Sequence, residues 1–292
     1  MKLSGIEGGH HVGRDSEFSS LAEVPRCRSG ALVPITDQTQ IGKLVSDGFK
    51  GCMIVTENLM SMVPDGVGAI ISERPLDELY DIHNSLVRGG SFYSPPGENV
   101  IDSDAEIHQT SVIAGSGVSI GKGCIIGPKV TILAGSTIED NVTIGPGTVI
   151  GSEEVVTLGR GAASEKVLSS GGVTIGKDVG IHANSSINRA VLGGSTEIRA
   201  GAKFDNLVKV GQNAKIGERS FVAACASIGP NVDIGEEVWI GPNSTVGSGL
   251  TIGNRAYVTI GSVVVKDVAE GKLVTGHYTM DYNLFAERLK KR

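Results

Sequence analysis

Aromatic residues are scarce in this chain of 292 residues: they make up 4 % of it, whereas 42 residues are glycine. A chain with few large rings cannot fill a wide core with aromatic side chains, and its many glycines predict frequent turns. This composition is typical of a solenoid of short strands. The 40 % of hydrophobic residues leave enough apolar material for a smaller attached domain.

Positive charge is also in short supply. The formal net charge is -6, and no basic run lies outside the last few residues. A surface that binds nucleic acid needs clustered lysine and arginine. The sequence therefore argues against DNA or RNA as a partner.

Paired cysteines and long apolar runs are missing as well. Cys27, Cys52, Cys124 and Cys225 show neither paired nor metal-type spacing, so we expect reduced cysteines that mostly pack in the core. The first residues contain no apolar stretch of the length that a signal peptide or a membrane span requires. We therefore expect a cytoplasmic protein without a membrane span.

A bulky apolar residue returns at every sixth position over much of the chain. On an α-helix of about 3.6 residues per turn, six-residue steps would spread these side chains over three sides. Glycine often follows directly, as at Gly211 and Gly217, where the missing Cβ lets the chain turn. The pattern predicts a hexapeptide-repeat coil with flat walls of short strands. It runs without a slip through Ile198, Phe204, Val210, Ile216, Val222, Ile228, Ile234, Ile240, Val246, Ile252, Val258 and Val264.

The repeat begins at Ile101 but is not continuous from there. It slips by one residue before Ile120, and residues 152–172 are polar, rich in Gly and Ser and out of phase. Such a stretch predicts an outward loop, which is where repeat proteins place binding surfaces. The stretch between Ile187 and Ile198 is one residue short of two repeats.

The sequence divides into three parts. Residues 1–98 alternate short apolar runs with helical stretches, the best of which begins near Pro75, and predict a small α/β domain that binds substrate or nucleotide. Residues 99–275 carry the hexads. Residues 276–292 predict a short helical tail that Asp281 can cap and that covers the open end of the coil.

Two segments, together with the order of these parts, carry a family resemblance. They are GGVTIGKDVGIHANSSINRAVL at 171–192 and KFDNLVKVGQNAKIG at 203–217. The chain resembles the UDP-3-O-acylglucosamine N-acyltransferases of lipid A synthesis over nearly its whole length. This resemblance implies a left-handed parallel β-helix, a homotrimer, and active sites in clefts between neighbouring subunits. It also implies that Asp205, Asn206 and Asn213 bind substrate.

The chain departs from this family at residues that carry the chemistry. The family has a histidine that acts as general base after its Asp-Asn-Leu-Val segment, and the matching residue here is Gln212. A second family histidine falls near Gly249, and the uracil-stacking aromatics of the family have no clear counterpart in residues 31–40. A glutamine amide is scarcely basic, so Gln212 can hydrogen-bond a substrate but cannot take its proton.

His182 is the histidine that the repeat places within a regular hexad of the central solenoid, and it is the candidate for a relocated base. With three hexads to a coil, we count five steps from Ile181 to Val210, which puts His182 and Gln212 at different corners of one subunit. In a trimer, different corners of adjacent subunits face each other, so His182 could still enter the same cleft. The alternative is a solvent-exposed or structural corner histidine.

Three classes of function remain open. The first is an N-acyltransferase without a bound cofactor, which uses acyl carrier protein or coenzyme A as donor and a nucleotide-linked amino sugar as acceptor, in lipid A or other cell-surface glycan synthesis. The second is a non-catalytic paralogue that binds a sugar nucleotide or a protein partner. The third is a zinc enzyme, which needs three imidazoles that His182 and the distant His108 do not supply.

A dense positive patch lies in the tail. Acyl carrier proteins are acidic, so we expect the patch to bind the donor in a salt-dependent way. It consists of Arg288, Lys290, Lys291 and Arg292.

Overall fold

The six-residue repeat forms a coil with three flat faces in the computed structural model, which describes residues 1–24, 29–158 and 165–276. The predicted fold class, mainly β with a left-handed parallel β-helix and a small α/β domain, is confirmed. The predicted helical tail and its positive patch lie outside the described residues. Two units make up the chain. The first contains Met1–Glu98, Glu153–Val173 and Arg189–Ser195, and the second contains Asn99–Ser152, Thr174–Asn188 and the described residues from Thr196 onward.

The first unit is a five-stranded sheet with a helix packed on each face. Alternate residues of a strand point to opposite faces, so Val33 joins the cluster around Ile41 of one helix, while Leu32 joins the cluster around Leu79 of the other. The elements are β1 Val12–Arg14, β2 Ser20–Leu21, β3 Ala31–Pro34, α1 Gln38–Ser46, β4 Cys52–Val55, β5 Gly68–Ile71 and α2 Pro75–Gly89, with 3₁₀ turns at Leu3–Gly5 and Glu57–Met62. The strand order is β1-β5-β4-β3-β2, with β1 antiparallel to β5 and the other neighbours parallel.

Local sequence sets the ends of both helices. The Asp37 side chain accepts a hydrogen bond of 3.0 Å from the Gln40 backbone N–H and caps the start of α1. Helix α2 begins at Pro75, as predicted, because a proline in the first turn loses no helical hydrogen bond. It ends before Gly90, which takes a left-handed conformation with φ of 68°.

The second unit is the β-helix, whose three parallel sheets we call faces A, B and C in the order in which the chain visits them. Face A contains Val100–Ile101, Val118–Ile120, Ser136–Ile138, Gly172–Ile175, Ser195–Ile198, Lys215–Ile216, Asp233–Ile234 and Thr251–Ile252. Face B contains Glu106–Ile107, Ile125–Ile126, Thr143–Ile144, Gly180–Ile181, Lys203–Phe204, Phe221–Val222, Trp239–Ile240, Tyr257–Val258 and Leu273–Val274. Face C contains Val112–Ile113, Thr131–Ile132, Val149–Ser152, Ser186–Asn188, Lys209–Val210, Ser227–Ile228, Thr245–Val246 and Val263–Val264.

The hexad residues fill the inside of this coil. Phe204, Val210 and Ile216, one on each face, are completely buried. Each apolar residue pairs with the hexad residue of the same face on the next coil, so columns of Ile and Val stack along the axis. The corners between faces are named AB, BC and CA. They turn through left-handed residues such as Asn213, with φ of 55°.

Every irregularity of the repeat lies at corner CA. The slip before Ile120, the stretch 153–173 and the stretch 189–195 each follow a strand of face C and lead into a strand of face A. The last two, which we call excursions 1 and 2, leave from successive coils and group with the first unit. No complete strand of the coil lies within excursion 2, so Ile187 and Ile198 are one step apart. Ile181 therefore lies four steps before Val210, and the predicted count of five was wrong.

Excursion 1 is held within the first unit by its own hairpin and by helix α2. Its strands Thr157–Leu158 and Glu165–Lys166 pair antiparallel. Val167 is buried in the same apolar cluster as Leu79 of α2, and Val191 of excursion 2 joins that cluster. The described part of the predicted outward loop is therefore partly a packed segment of the α/β unit.

Candidate active site

Corner BC brings three of the candidate residues together. The backbone N–H of His182 donates to the carbonyl of Phe204 at 2.9 Å, so His182 and Asp205 occupy equivalent places on successive coils. The Asn206 side-chain oxygen accepts from the Ala183 N–H at 3.0 Å and ties the two coils together. His182 and Asn206 are exposed, whereas Asp205 is half-buried. The corner thus presents an imidazole and an amide to the outside.

The Asp205 carboxylate is engaged within its own corner. Its Oδ1 accepts from the backbone N–H of Asn206 at 2.7 Å and from the Asn206 side-chain nitrogen at 3.0 Å. These bonds fix the turn. They also orient the Asn206 amide, which places its oxygen on the preceding coil.

Corner CA holds the other two candidate residues. Gln212 is buried, with 5 % of its surface exposed, and its backbone carbonyl accepts from the Asn231 N–H at 2.9 Å. Asn213 is half-buried, and asparagine adopts the left-handed conformation of this corner more readily than most residues. Its Nδ2 donates to the Asn231 side-chain oxygen at 3.1 Å. Its backbone N–H donates to Thr196 Oγ1 at 2.8 Å. Gln212 is therefore part of a hydrogen-bonded corner rather than a free surface group.

The two positions that the resemblance matches to family histidines, Gln212 and a residue near Gly249, lie on this same corner. Gly211 N–H donates to Ile228 O and Gly249 N–H donates to Pro230 O, which stacks residues 211–213 and 247–249 two coils apart. His182 lies at corner BC instead, so within one chain the structure does not bring His182 and Gln212 to one corner.

A polar cluster that the hexad pattern did not reveal precedes Gln212 on corner CA. Ser152 Oγ lies 2.9 Å from Ser186 Oγ and donates to Asn188 Oδ1 at 2.8 Å, while Ser186 Oγ donates to the same oxygen at 3.2 Å. Asn188 is 5 % exposed. The signal in the sequence was weak, because serine and asparagine are also ordinary corner residues.

Within the described residues, no three His, Cys, Asp or Glu side chains come together as a metal site would require. Nor does any helix among the described residues have the length and apolar character needed to cross a membrane.

Comparison with known proteins identifies relatives of the β-helix and of most of the chain. Models of the bacterial transferase hexapeptide and of the hexapeptide repeat of succinyl-transferase match residues 117–152 and 231–266. A UDP-3-O-acylglucosamine N-acyltransferase of Helicobacter pylori is 31 % identical over 265 residues, which cover 77 % of this chain and 73 % of the relative. One from Herminiimonas arsenicoxydans is 33 % identical over 169 residues, 58 % of this chain and 48 % of the relative.

The first curated relatives are matched over about half of their length or less. Among solved structures, a UDP-N-acetylglucosamine acyltransferase from Campylobacter jejuni superposes with a TM-score of 0.51 at 17 % identity, over 66 % of this chain and 81 % of that one. The enzyme of the same name from Francisella novicida gives 0.51 at 21 % identity, over 65 % and 73 %. At these identities the likeness concerns the fold.

Proposed function

Because the chain belongs to the UDP-3-O-acylglucosamine N-acyltransferase family, we propose that it transfers an acyl group from a thioester to the amine of a nucleotide-linked amino sugar. The donor is acyl carrier protein or coenzyme A charged with the acyl chain, and the product belongs to lipid A or another cell-surface glycan. The observation that carries this proposal is the match to the Helicobacter pylori relative, which covers 77 % of this chain and 73 % of the relative.

The reaction has two chemical needs. The amine nitrogen attacks the thioester carbon, the new C–N bond forms as the C–S bond breaks, and the amine proton must pass to a base while the thiolate leaves and is protonated. The carbonyl oxygen becomes negatively charged on the way, and backbone N–H groups at the corners of the coil can stabilise it. The Gln212 amide can form hydrogen bonds but cannot act as the base.

We assign the role of base to His182. Its imidazole is exposed at corner BC beside Asn206 and the half-buried Asp205, which would hold the acceptor. In the proposed homotrimer, different corners of adjacent subunits face each other, so Gln212 and Asn213 at corner CA of one subunit would contact the acceptor opposite His182 of the next. The site is then completed by a second subunit.

The assay that tests this proposal mixes the protein with UDP-3-O-acylglucosamine and an acyl thioester and records the mass gain of the sugar nucleotide. His182→Ala is expected to lower turnover by about 100-fold and to leave sugar-nucleotide affinity nearly unchanged, because a base acts mainly in the transition state. Asn184→Ala, at an exposed position of the same corner, is the matched control. Full turnover in His182→Ala would exclude His182 as the base.

One feature of the sequence favours the alternative of a non-catalytic paralogue: by the family resemblance, Gln212 takes the place of the histidine that acts as general base. Gln212→His restores that histidine on the corner it shares with Gly249. If the wild-type protein binds the sugar nucleotide without turnover and Gln212→His gains turnover, the alternative is correct.

The homotrimer has its own test. Parallel coils on one axis expose flat faces that can pack around a threefold axis. Sedimentation at micromolar concentration is expected to give three times the chain mass of 30.2 kDa. A stable monomer under these conditions would contradict both the trimer and the shared site.

A further inference from the structure

Leu207 is exposed in a conformation that disfavours leucine. It follows Asp205 and Asn206 at corner BC, has φ of 61°, and keeps 56 % of its surface exposed. A side chain with a Cβ adopts the left-handed region at a cost in free energy, and Asn and Gly adopt it most readily. An exposed leucine adds the cost of hydrating an apolar surface.

The neighbouring coils show what this position normally holds. Corner BC turns through a left-handed residue at Asn184 (φ 55°), Cys225 (φ 60°) and Asn243 (φ 54°). On the described coils, no other residue at this position of corner BC is a branched aliphatic one. The fold therefore does not need a leucine here, and the reason for Leu207 lies outside the folding of the isolated chain.

The surroundings of Leu207 indicate what it contacts. Three exposed side chains beside it on the corner are polar, namely His182, Asn184 and Asn206, and the exposed Cys225 on the next coil is small. The second subunit that faces this corner in the proposed homotrimer would bury little apolar area against such a set, whereas stable interfaces bury about 800 Å² on each side. Of the groups that take part in the proposed reaction, the sugar nucleotide is polar and the acyl chain is apolar. An apolar side chain gains binding free energy by covering the acyl chain.

We infer that Leu207 contacts the acyl chain of the thioester donor beside Asp205 and Asn206, and that it is a specificity-determining residue for acyl length. This inference rests on the proposed function. It predicts that leucine at this position lowers the stability of the turn but raises the selectivity for the acyl donor, whereas asparagine would do the opposite.

The test compares Leu207→Asn with Asn243→Leu. The first variant gives corner BC the residue found at Asn184 and Asn243, and the second creates the same exposed left-handed leucine two coils away. With UDP-3-O-acylglucosamine as acceptor, kcat/KM is measured for butyryl-CoA and for tetradecanoyl-CoA. Leu207→Asn is expected to lose about tenfold with tetradecanoyl-CoA, to change little with butyryl-CoA, and to unfold at an equal or higher temperature.

The controls separate a role in binding from a role in folding. Asn243→Leu is expected to unfold at a lower temperature with wild-type kcat/KM for both donors, and Leu207→Met is expected to keep the preference for the long donor. Equal losses with both donors in Leu207→Asn, or a change in its sedimentation that shows a weaker trimer, would overturn the inference.

A protein without turnover would contradict the proposed function but would still test Leu207. Calorimetric titration with tetradecanoyl-CoA then supplies the readout. Binding weakened about tenfold by Leu207→Asn supports the acyl contact, and equal or absent binding in both proteins overturns it.

Discussion

His83 shows at the scale of one residue how burial couples to pH. It is completely buried on α2, its Nε2–H donates to the Leu168 carbonyl at 2.7 Å, and its Nδ1 accepts from the Tyr93 hydroxyl at 2.8 Å. Burial lowers the pKa of His83 below its ordinary value of 6.5, and burial raises the pKa of Tyr93 to about 12, so Tyr93 remains a donor. The neutral imidazole fits both partners.

We expect the free energy of unfolding to fall as the pH falls below 6.5. The unfolded chain binds a proton at the ordinary pKa of His83, whereas the folded chain binds it at a lower pH, so acid favours unfolding. Urea unfolding at about pH 7.5 and about pH 5.5 measures the effect. His83→Gln is expected to reduce this pH dependence, and an identical dependence in the variant would contradict the assignment.

The residue scale is also where sequence reasoning was weakest. The helical pattern from Pro75 does not indicate the partner of His83, because Leu168 lies 85 residues away and follows no repeat. The exposure and the φ of Leu207 could not be predicted from the sequence, because both depend on the corner that the coil forms. Long-range partners and backbone conformation are set by tertiary structure.

Glycine at the corners is an element-scale feature that the sequence did predict. A Cβ on Gly217 would lie 2.1 Å from the Gly235 carbonyl oxygen, in the backbone of the next coil. That backbone is fixed, because the Gly217 N–H donates to Ile234 O at 2.8 Å. We expect Gly217→Ala to cost about 3 kcal/mol of unfolding free energy in urea.

Gly247→Ala is the matched control for this prediction. Its added Cβ would meet Val264 O at 3.2 Å and a Leu250 methyl at 3.5 Å, contacts that a small shift can relieve. We expect a loss of about 1 kcal/mol or less. Equal losses in both variants would contradict the argument from spacing between coils.

The hexads predicted the faces of the coil, and they could not predict the path of the excursions. Between Ile150 and Ile175, and between Ile187 and Ile198, the chain leaves the repeat, so its spacing carries no phase. The structure shows that both departures come from corner CA, whereas counting residues placed Ile181 one step too far from Val210. The packing of the excursions within the α/β unit depends on long-range contacts, which a local sequence pattern does not predict.

At the scale of the whole molecule, the α/β unit is assembled from three separate segments. Asn84 of α2 donates to the Lys166 carbonyl at 3.1 Å and accepts from the Leu168 N–H at 2.8 Å, and buried Val167 between them joins an apolar cluster of that unit. The chain must therefore pass through three coils of the β-helix before Val167 can join this core, and through a fourth before Val191 of excursion 2 completes it. Sequence reasoning drew this domain as one continuous segment.

Deleting residues 154–172 tests this dependence, because it restores the six-residue spacing between Ile150 and Ile175 while removing Val167 and the partners of Asn84. We expect the helical circular dichroism of α1 and α2 to be lost at lower urea than in the wild type, since buried apolar contacts and hydrogen bonds of that unit are gone. The fluorescence of Trp239, the single tryptophan, reports the β-helix separately. It is stacked between Phe221 and Tyr257, with ring centroids 4.6 and 5.6 Å away, and its transition is expected to stay near the wild-type midpoint.

A Gly/Ser segment of the same length in place of residues 154–172 separates the effect of the lost contacts from the effect of loop length, and we expect it to behave like the deletion. Helical and tryptophan signals that both keep the wild-type midpoint would show that the first 98 residues fold without excursion 1.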